Sequence, residues 1–169
     1  INYSVGKKRY EKKPDAEDLA LIQKIEEMDI PYWVPTNKMP EGFNTEQPKI
    51  SHGLTHVHHF YSRRNLYAIS ALISSQHSFS ETNSKLFLDG IQTISTSLVS
   101  KLTRYKYKKS GNSMLSGTLY VASTIAEQNV FKVILAKLED IFIAKRSISP
   151  NQSSILTRSS THFNIDEYK

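Results

Sequence analysis

The segment Gly53 to Leu72, GLTHVHHFYSRRNLYAISAL, constrains the fold of this chain more than any other. Three histidines, His56, His58 and His59, run through an aromatic pair and two arginines straight into Leu66, Ile69, Leu72 and Ile73. Those four apolar residues recur at the three-to-four spacing of one helix face, so a helix with one buried side is expected there. Its entrance is then unusually polar, and whatever packs on the helix must also accommodate imidazoles and guanidinium groups.

The rest of the chain supplies further elements. Residues 1–14 carry Lys7, Lys8, Arg9, Lys12 and Lys13 with Tyr3 and Tyr10 interleaved, and are expected to form a mobile basic arm ending at Pro14. Asp15 is placed to cap a helix over 16–28, with Glu17 and Asp18 in its first turn and Leu21, Ile22, Ile25 and Met28 on one face. Residues 29–50 hold four of the six prolines and the only tryptophan, and are expected to be an irregular, ordered connector anchored by Tyr32 and Trp33. Ser78 and Glu81 have the spacing of a capping box. Beyond them Phe87, Ile91, Ile94, Leu98, Leu102 and Tyr105 predict a helix ending in a lysine-rich run. Leu115 to Ala122 reads as a strand or an extended segment, residues 126–146 as a last long helix, and Ser154 to Ser159 (SILTRS) as one more strand.

The expected fold class is therefore α+β and mainly helical, with about four helices and two or three short strands. A length of 169 residues favours one compact domain. Within it, 1–50 would comprise the basic arm, helix and proline-rich connector, and 51–169 the helical body with its C-terminal helix-strand unit. The start at Ile1 and the bare end at Lys169 suggest a piece of a longer protein. Zero cysteines exclude disulfides and thiolate chemistry and fit the cytoplasm. No apolar run is long enough to span a membrane, and no partner in a membrane is expected.

A formal charge of +6 favours a polyanionic partner, although moderately basic proteins often bind no anion. Three groups of residues are candidates for contact. His52, His56, His58 and His59 invite a metal, but no nearby acid completes a ligand set; histidines hydrogen-bonded at a helix entrance are the simpler reading, and no metal is expected. Arg63 and Arg64 sit in a first helical turn, where cations oppose the dipole. A phosphate, a carboxylate on a neighbouring helix, or plain solvation could each account for them. The run Arg104 to Lys109 (RYKYKK) interleaves Lys106, Lys108 and Lys109 with two tyrosines, which suits phosphate contact with stacking but equally suits a solvated helix end. Glycine-rich phosphate loops, a nucleophile elbow and metalloprotease spacing are all missing, so the chain alone is expected to be inactive.

GLTHVHHFYSRRNLYAISAL, SGTLYVASTIAEQNVF (116–131) and SSILTRSSTHFNIDEYK together resemble a region of large bacterial site-specific DNA methyltransferases of the adenine-N6 or cytosine-N4 amino-methylating type. KRYEKKPDAEDLALIQKIE and PYWVPTNKMPEGF are similar to what precedes that region, so the likeness covers most of the chain. It departs from the family pattern at Ala122, where a proline is usual, and at Ser62, where a threonine is. The resemblance implies a parent, of the restriction-modification or orphan kind, that binds S-adenosylmethionine through an upstream D-P-F-x-G-x-G segment. Catalysis would use a D-P-P-F/Y segment after the last strand. Neither motif occurs here, so no cofactor is expected in this segment itself. The segment would contribute scaffold and DNA contacts, with Arg63, Arg64, His58, His59, Arg104, Lys106, Lys108 and Lys109 as the contacting residues. The C-terminal helix and strand would join the parent's Rossmann-like sheet. A freestanding basic nucleic-acid-binding module is the alternative, and a structural or protein-interaction domain with incidental charges a third.

Overall fold

A computed structural model of the chain describes residues 1–106 and 112–147. The expected arm at the N-terminus is instead an antiparallel hairpin of β1 (Asn2–Val5) and β2 (Lys8–Glu11), paired from Asn2 opposite Glu11 to Val5 opposite Lys8. Gly6 makes the reversal at φ 59°, a left-handed conformation that glycine adopts without steric penalty. Tyr3 and Tyr10 stack across the strands with ring centroids 5.4 Å apart. With Lys8, Arg9 and Glu11 around its one aromatic residue, Tyr10, β2 shows no alternation to a reading based on hydrophobicity.

Helix α1 (Ala16–Glu27) begins where Asp15 predicts. The Asp15 carboxylate accepts the Asp18 N–H at 2.9 Å, and the Asp18 carboxylate accepts the Asp15 N–H at 3.0 Å. Lys12 lies 3.0 Å from Asp15 and 2.7 Å from Asp18, so the hairpin is tied to the helix start. The Asp18 N–H, and then Lys12, hold the Asp15 carboxyl at about 2, well below its ordinary value.

The proline-rich connector is less irregular than its composition predicts, because it contains α2 (Phe43–His52) with Pro48 inside it. Gly53, at φ 66°, closes that helix: its N–H bonds the Lys49 carbonyl and the Leu54 N–H bonds the Pro48 carbonyl. Helix α3 (Arg63–Ser75) follows, capped by Ser62, whose hydroxyl accepts the Asn65 N–H. Leu66 and Ile69 are buried on the predicted face, with Leu72 and Ile73 partly so.

Helix α4 (Glu81–Ser97) is shorter than predicted. Ser78 does not cap it; its hydroxyl donates to the Ser75 carbonyl, and Ser80 takes the cap position. At its far end the chain leaves the helix at Leu98. The Lys101 N–H bonds the Phe60 carbonyl at 2.7 Å, and the Val99 carbonyl is taken by Asn65. Leu102 and Tyr105 therefore lie in a non-helical segment, and the described part of the basic run, Arg104 to Lys106, is not the end of α4. The expected strand at 115–122 is absent as a strand: the side-chain amide of Gln47 bonds both the N–H and the carbonyl of Val121, at 3.2 and 3.3 Å, in place of a strand neighbour. Helix α5 (Val130–Ser147) begins four residues later than predicted, with Asn129 accepting the Lys132 N–H. The SILTRS stretch lies outside the described residues.

The described residues thus form a mixed, mainly helical fold of five helices and one two-stranded sheet. The larger core unites Ile69, Phe87, Ile91, Ile94, Val99, Val130 and Ile134 from α3, α4 and α5. A smaller one joins Leu54, Phe60, Leu102 and Val121 among the loops, and Tyr61 packs against both. Helices α4 and α5 approach most closely at Gly90, where an added Cβ would lie 3.3 Å from Ile141 Cδ1 and 3.4 Å from Ile134 Cδ1. Gly90→Val forces two further carbons into that contact and is expected to lower unfolding free energy by about 1–3 kcal/mol in urea titration.

Candidate functional site

The histidine segment is laid against the proline-rich connector by main-chain hydrogen bonds. The Met39 N–H bonds the Thr55 carbonyl, the Val57 N–H bonds the Asn37 carbonyl, and the His58 N–H bonds the Pro35 carbonyl. This extended pairing turns His56, His58 and His59 into one another, with ring centroids 4.5 to 5.6 Å apart. His58 Nδ1 lies 3.0 Å from the Pro35 carbonyl, which can only accept, so that nitrogen carries the proton. His59 Nδ1 accepts the Thr55 N–H at 3.3 Å, so its neutral ring carries the proton on Nε2. His56 Nδ1 meets the Thr55 hydroxyl at 2.9 Å. His52, on the last turn of α2, contacts the Ser51 hydroxyl instead. Among the described residues, no group of three or more histidine, aspartate or glutamate side chains could hold a metal ion.

Burial pushes the His59 imidazole below its ordinary value, and the neighbouring His58 and His56 push it further. A neutral His59 is a poor phosphate ligand. Lys101 lies over the same segment, its ammonium donating to the His59 carbonyl at 2.9 Å. Burial lowers the Lys101 value as well, opposed by Glu26 and Glu127.

The two arginines at the α3 entrance have internal partners. Arg63 Nε donates to the Met28 carbonyl at 3.1 Å, so it closes the negative, C-terminal end of α1 from the start of α3. Arg64 pairs with Glu127 at 3.0 Å, and the Ser62 hydroxyl bonds the same carboxylate. Of the three sequence readings, Arg64 follows the carboxylate one, although Glu127 lies on the segment before α5 rather than on a helix. With 54% of the Arg64 side chain exposed, this pair orients more than it stabilises.

Asn65 was not singled out by the sequence. It is 2% exposed, and its Nδ2 donates to the Val99 carbonyl at 2.9 Å and the Gln128 carbonyl at 3.3 Å. A polar residue on the apolar side of an amphipathic helix was the available signal, since such a group must find partners.

The remaining candidates lie apart from the histidines in their roles. Arg104 pairs its backbone with Ser113 and Ile125, and its Nε is buried without a hydrogen-bond partner among the described residues. Lys106 donates its N–H to Asn112 Oδ1. Lys108 and Lys109 lie outside the described residues. Between the hairpin, α1, α3 and the start of α5 opens a cleft of about 650 Å³, lined by Ile22, Arg64, Tyr105, Glu127, Asn129 and Phe131 among others. Tyr105, 45% exposed, lines the same cleft as the Arg64–Glu127 pair. The arrangement offers aromatic and polar contact rather than a nucleophile held by a base.

No protein-family model, curated protein or solved structure matches the chain. Among the described residues, no helix is long and apolar enough to cross a membrane.

The lowered His59 value has a sign. The unfolded chain takes up the proton near pH 6.5 and the folded chain only at lower pH, so His59 contributes stability above that point which is lost as pH falls through the folded value. His59→Gln is expected to flatten the limb of the stability profile just below pH 6.5. The check is the urea midpoint of both proteins measured from pH 7.5 to about 5. Parallel profiles would contradict a partly buried, neutral His59.

Proposed function

We propose that the chain is a scaffold and DNA-contacting segment of an S-adenosylmethionine-dependent, site-specific DNA methyltransferase of the adenine-N6 or cytosine-N4 type, acting in the cytoplasm and inactive alone. The observation that carries this reading is the joint at Glu127. The two internal stretches on which the resemblance rests, 53–72 and 116–131, meet through Arg64, Ser62 and Glu127, and again through the Asn65 bond to the Gln128 carbonyl. Stretches separated by some forty residues of chain are thus one structural unit, as a shared scaffold requires. The charge of +6 is consistent with a polyanionic partner.

In this reading the target base leaves the duplex, and its exocyclic amine is held by the D-P-P-F/Y segment of the parent. S-adenosylmethionine supplies the methyl group there. The present residues do not fit that cofactor: the positive-φ glycines Gly6, Gly42, Gly53 and Gly117 stand in four separate turns, and none builds a glycine-rich cradle. Their work is to hold the parent's elements in register and to meet DNA. Helix α5 would lead into the parent's Rossmann-like sheet, with Ser154 to Ser159, outside the described residues, as its next strand.

The source gene provides the test. A D-P-P-F/Y segment is expected within about thirty residues after Lys169, given how closely consecutive elements follow one another in such sheets. A protein extended to include it and the upstream cofactor segment should transfer labelled methyl groups to duplex DNA, whereas the 169-residue chain should not. A downstream sequence without that segment contradicts the assignment and leaves the freestanding nucleic-acid-binding module in its place.

A further inference from the structure

We infer that the N-terminal hairpin is the main DNA-contacting element of the described residues, entering the major groove of a duplex as a two-stranded ribbon. This rests on the DNA-contacting reading above and moves the contact away from the histidine-arginine entrance. There, Arg63, Arg64, His58 and His59 are all engaged with protein partners.

The hairpin has no such engagement. Lys7, Lys8 and Arg9 occupy its turn and the start of β2, all exposed, and among the described residues none has a carboxylate within 4.0 Å. The register places Lys8 opposite Val5, on the face shared by Tyr3 and Tyr10, while Arg9, opposite Ser4, belongs to the other face. Cations on both faces of one ribbon tip suit a groove walled by two phosphate backbones, and a two-stranded ribbon fits the roughly 12 Å width of the B-DNA major groove.

An isolated two-stranded sheet is marginal in water, so something must keep it formed. The Tyr3–Tyr10 stack does so in the middle, and the bond from the Lys12 N–H to the Ile1 carbonyl, at 2.9 Å, closes its open end. Lys12 is spent on Asp15 and Asp18, which fixes the ribbon to α1 rather than leaving it a loose arm. The result is a charged probe anchored at its base, next to the cleft that Ile1 and Asn2 help to line.

The test is titration of the full chain with a duplex oligonucleotide at several salt concentrations. The triple variant Lys7→Ala/Lys8→Ala/Arg9→Ala is compared with Lys132→Ala/Lys145→Ala/Arg146→Ala, which removes equal charge from α5. The hairpin triple is expected to make the slope of log affinity against log salt shallower by about 2 to 3, at about 0.9 per lost phosphate contact. The α5 triple should leave it within about 0.5 of the parent slope, a fraction of one contact. Tyr10→Ala, which changes no charge, should weaken binding several-fold, and Tyr10→Phe should restore it. Equal effects of the two triples, an unchanged hairpin triple, or tighter binding to a single strand of the same length would each overturn the inference. A chain that binds DNA but ignores the hairpin variants sinks only this assignment, whereas the gene and methyl-transfer test above decides the methyltransferase reading separately.

Discussion

The structure depends on one buried amide. Asn65 sits in the first turn of α3, and its two N–H bonds run to the Val99 carbonyl, just past α4, and to the Gln128 carbonyl, just before α5. Neither carbonyl belongs to a helix that could satisfy it internally; the Val99 end is buried and the Gln128 end partly so. Pairing them with a single side chain fixes the exit of α4 and the entry of α5 relative to α3, the three helices that build the larger core. Around this amide the same logic repeats. Glu127 receives Ser62 and Arg64, the Phe60 carbonyl receives the Lys101 N–H, and the His59 carbonyl receives the Lys101 ammonium. A helix entrance rich in polar groups is therefore a junction in which each of these donors meets an acceptor.

Much of this was legible in the sequence where local physics decides. The apolar spacing of Leu66 and Ile69, the Asp15 cap and the amphipathic run of α5 place three helices to within a few residues, because periodicity and capping act over a single turn. What escaped is decided by partners distant in sequence. Phe87 to Tyr105 keeps helical spacing, yet the chain leaves the helix at Leu98 because Asn65 and Phe60 claim the next backbone groups. Leu115 to Ala122 has strand composition, but the neighbour it meets is the Gln47 side chain. Pro48 disguised α2, and the charged residues of β2 disguised a hairpin held by one tyrosine pair.

The candidate site divided along the same line. The histidines and arginines are conspicuous in the sequence, and His56, His58 and His59 face one another while Arg63 and Arg64 turn to separate partners. Their partners, however, are the Pro35 and Met28 carbonyls, the Thr55 N–H and Glu127, none of which any local pattern could name. Arginine in the first turn of a helix looked anomalous against its own dipole; Arg63 is explained by the end of a different helix, α1. With those cations committed to the junction, Lys7, Lys8 and Arg9 at the hairpin tip stand exposed with no carboxylate partner among the described residues.

The central claim, that the Asn65 amide holds α3, α4 and α5 together, is tested most directly by Asn65→Asp. The substitution preserves size and replaces the donating nitrogen with an acceptor facing two carbonyls. Equilibrium urea unfolding at pH 7 is expected to show a loss of about 2–5 kcal/mol, the scale of a buried, unpaired polar or charged group. A change smaller than about 0.5 kcal/mol, typical of an inconsequential surface site, would contradict the account.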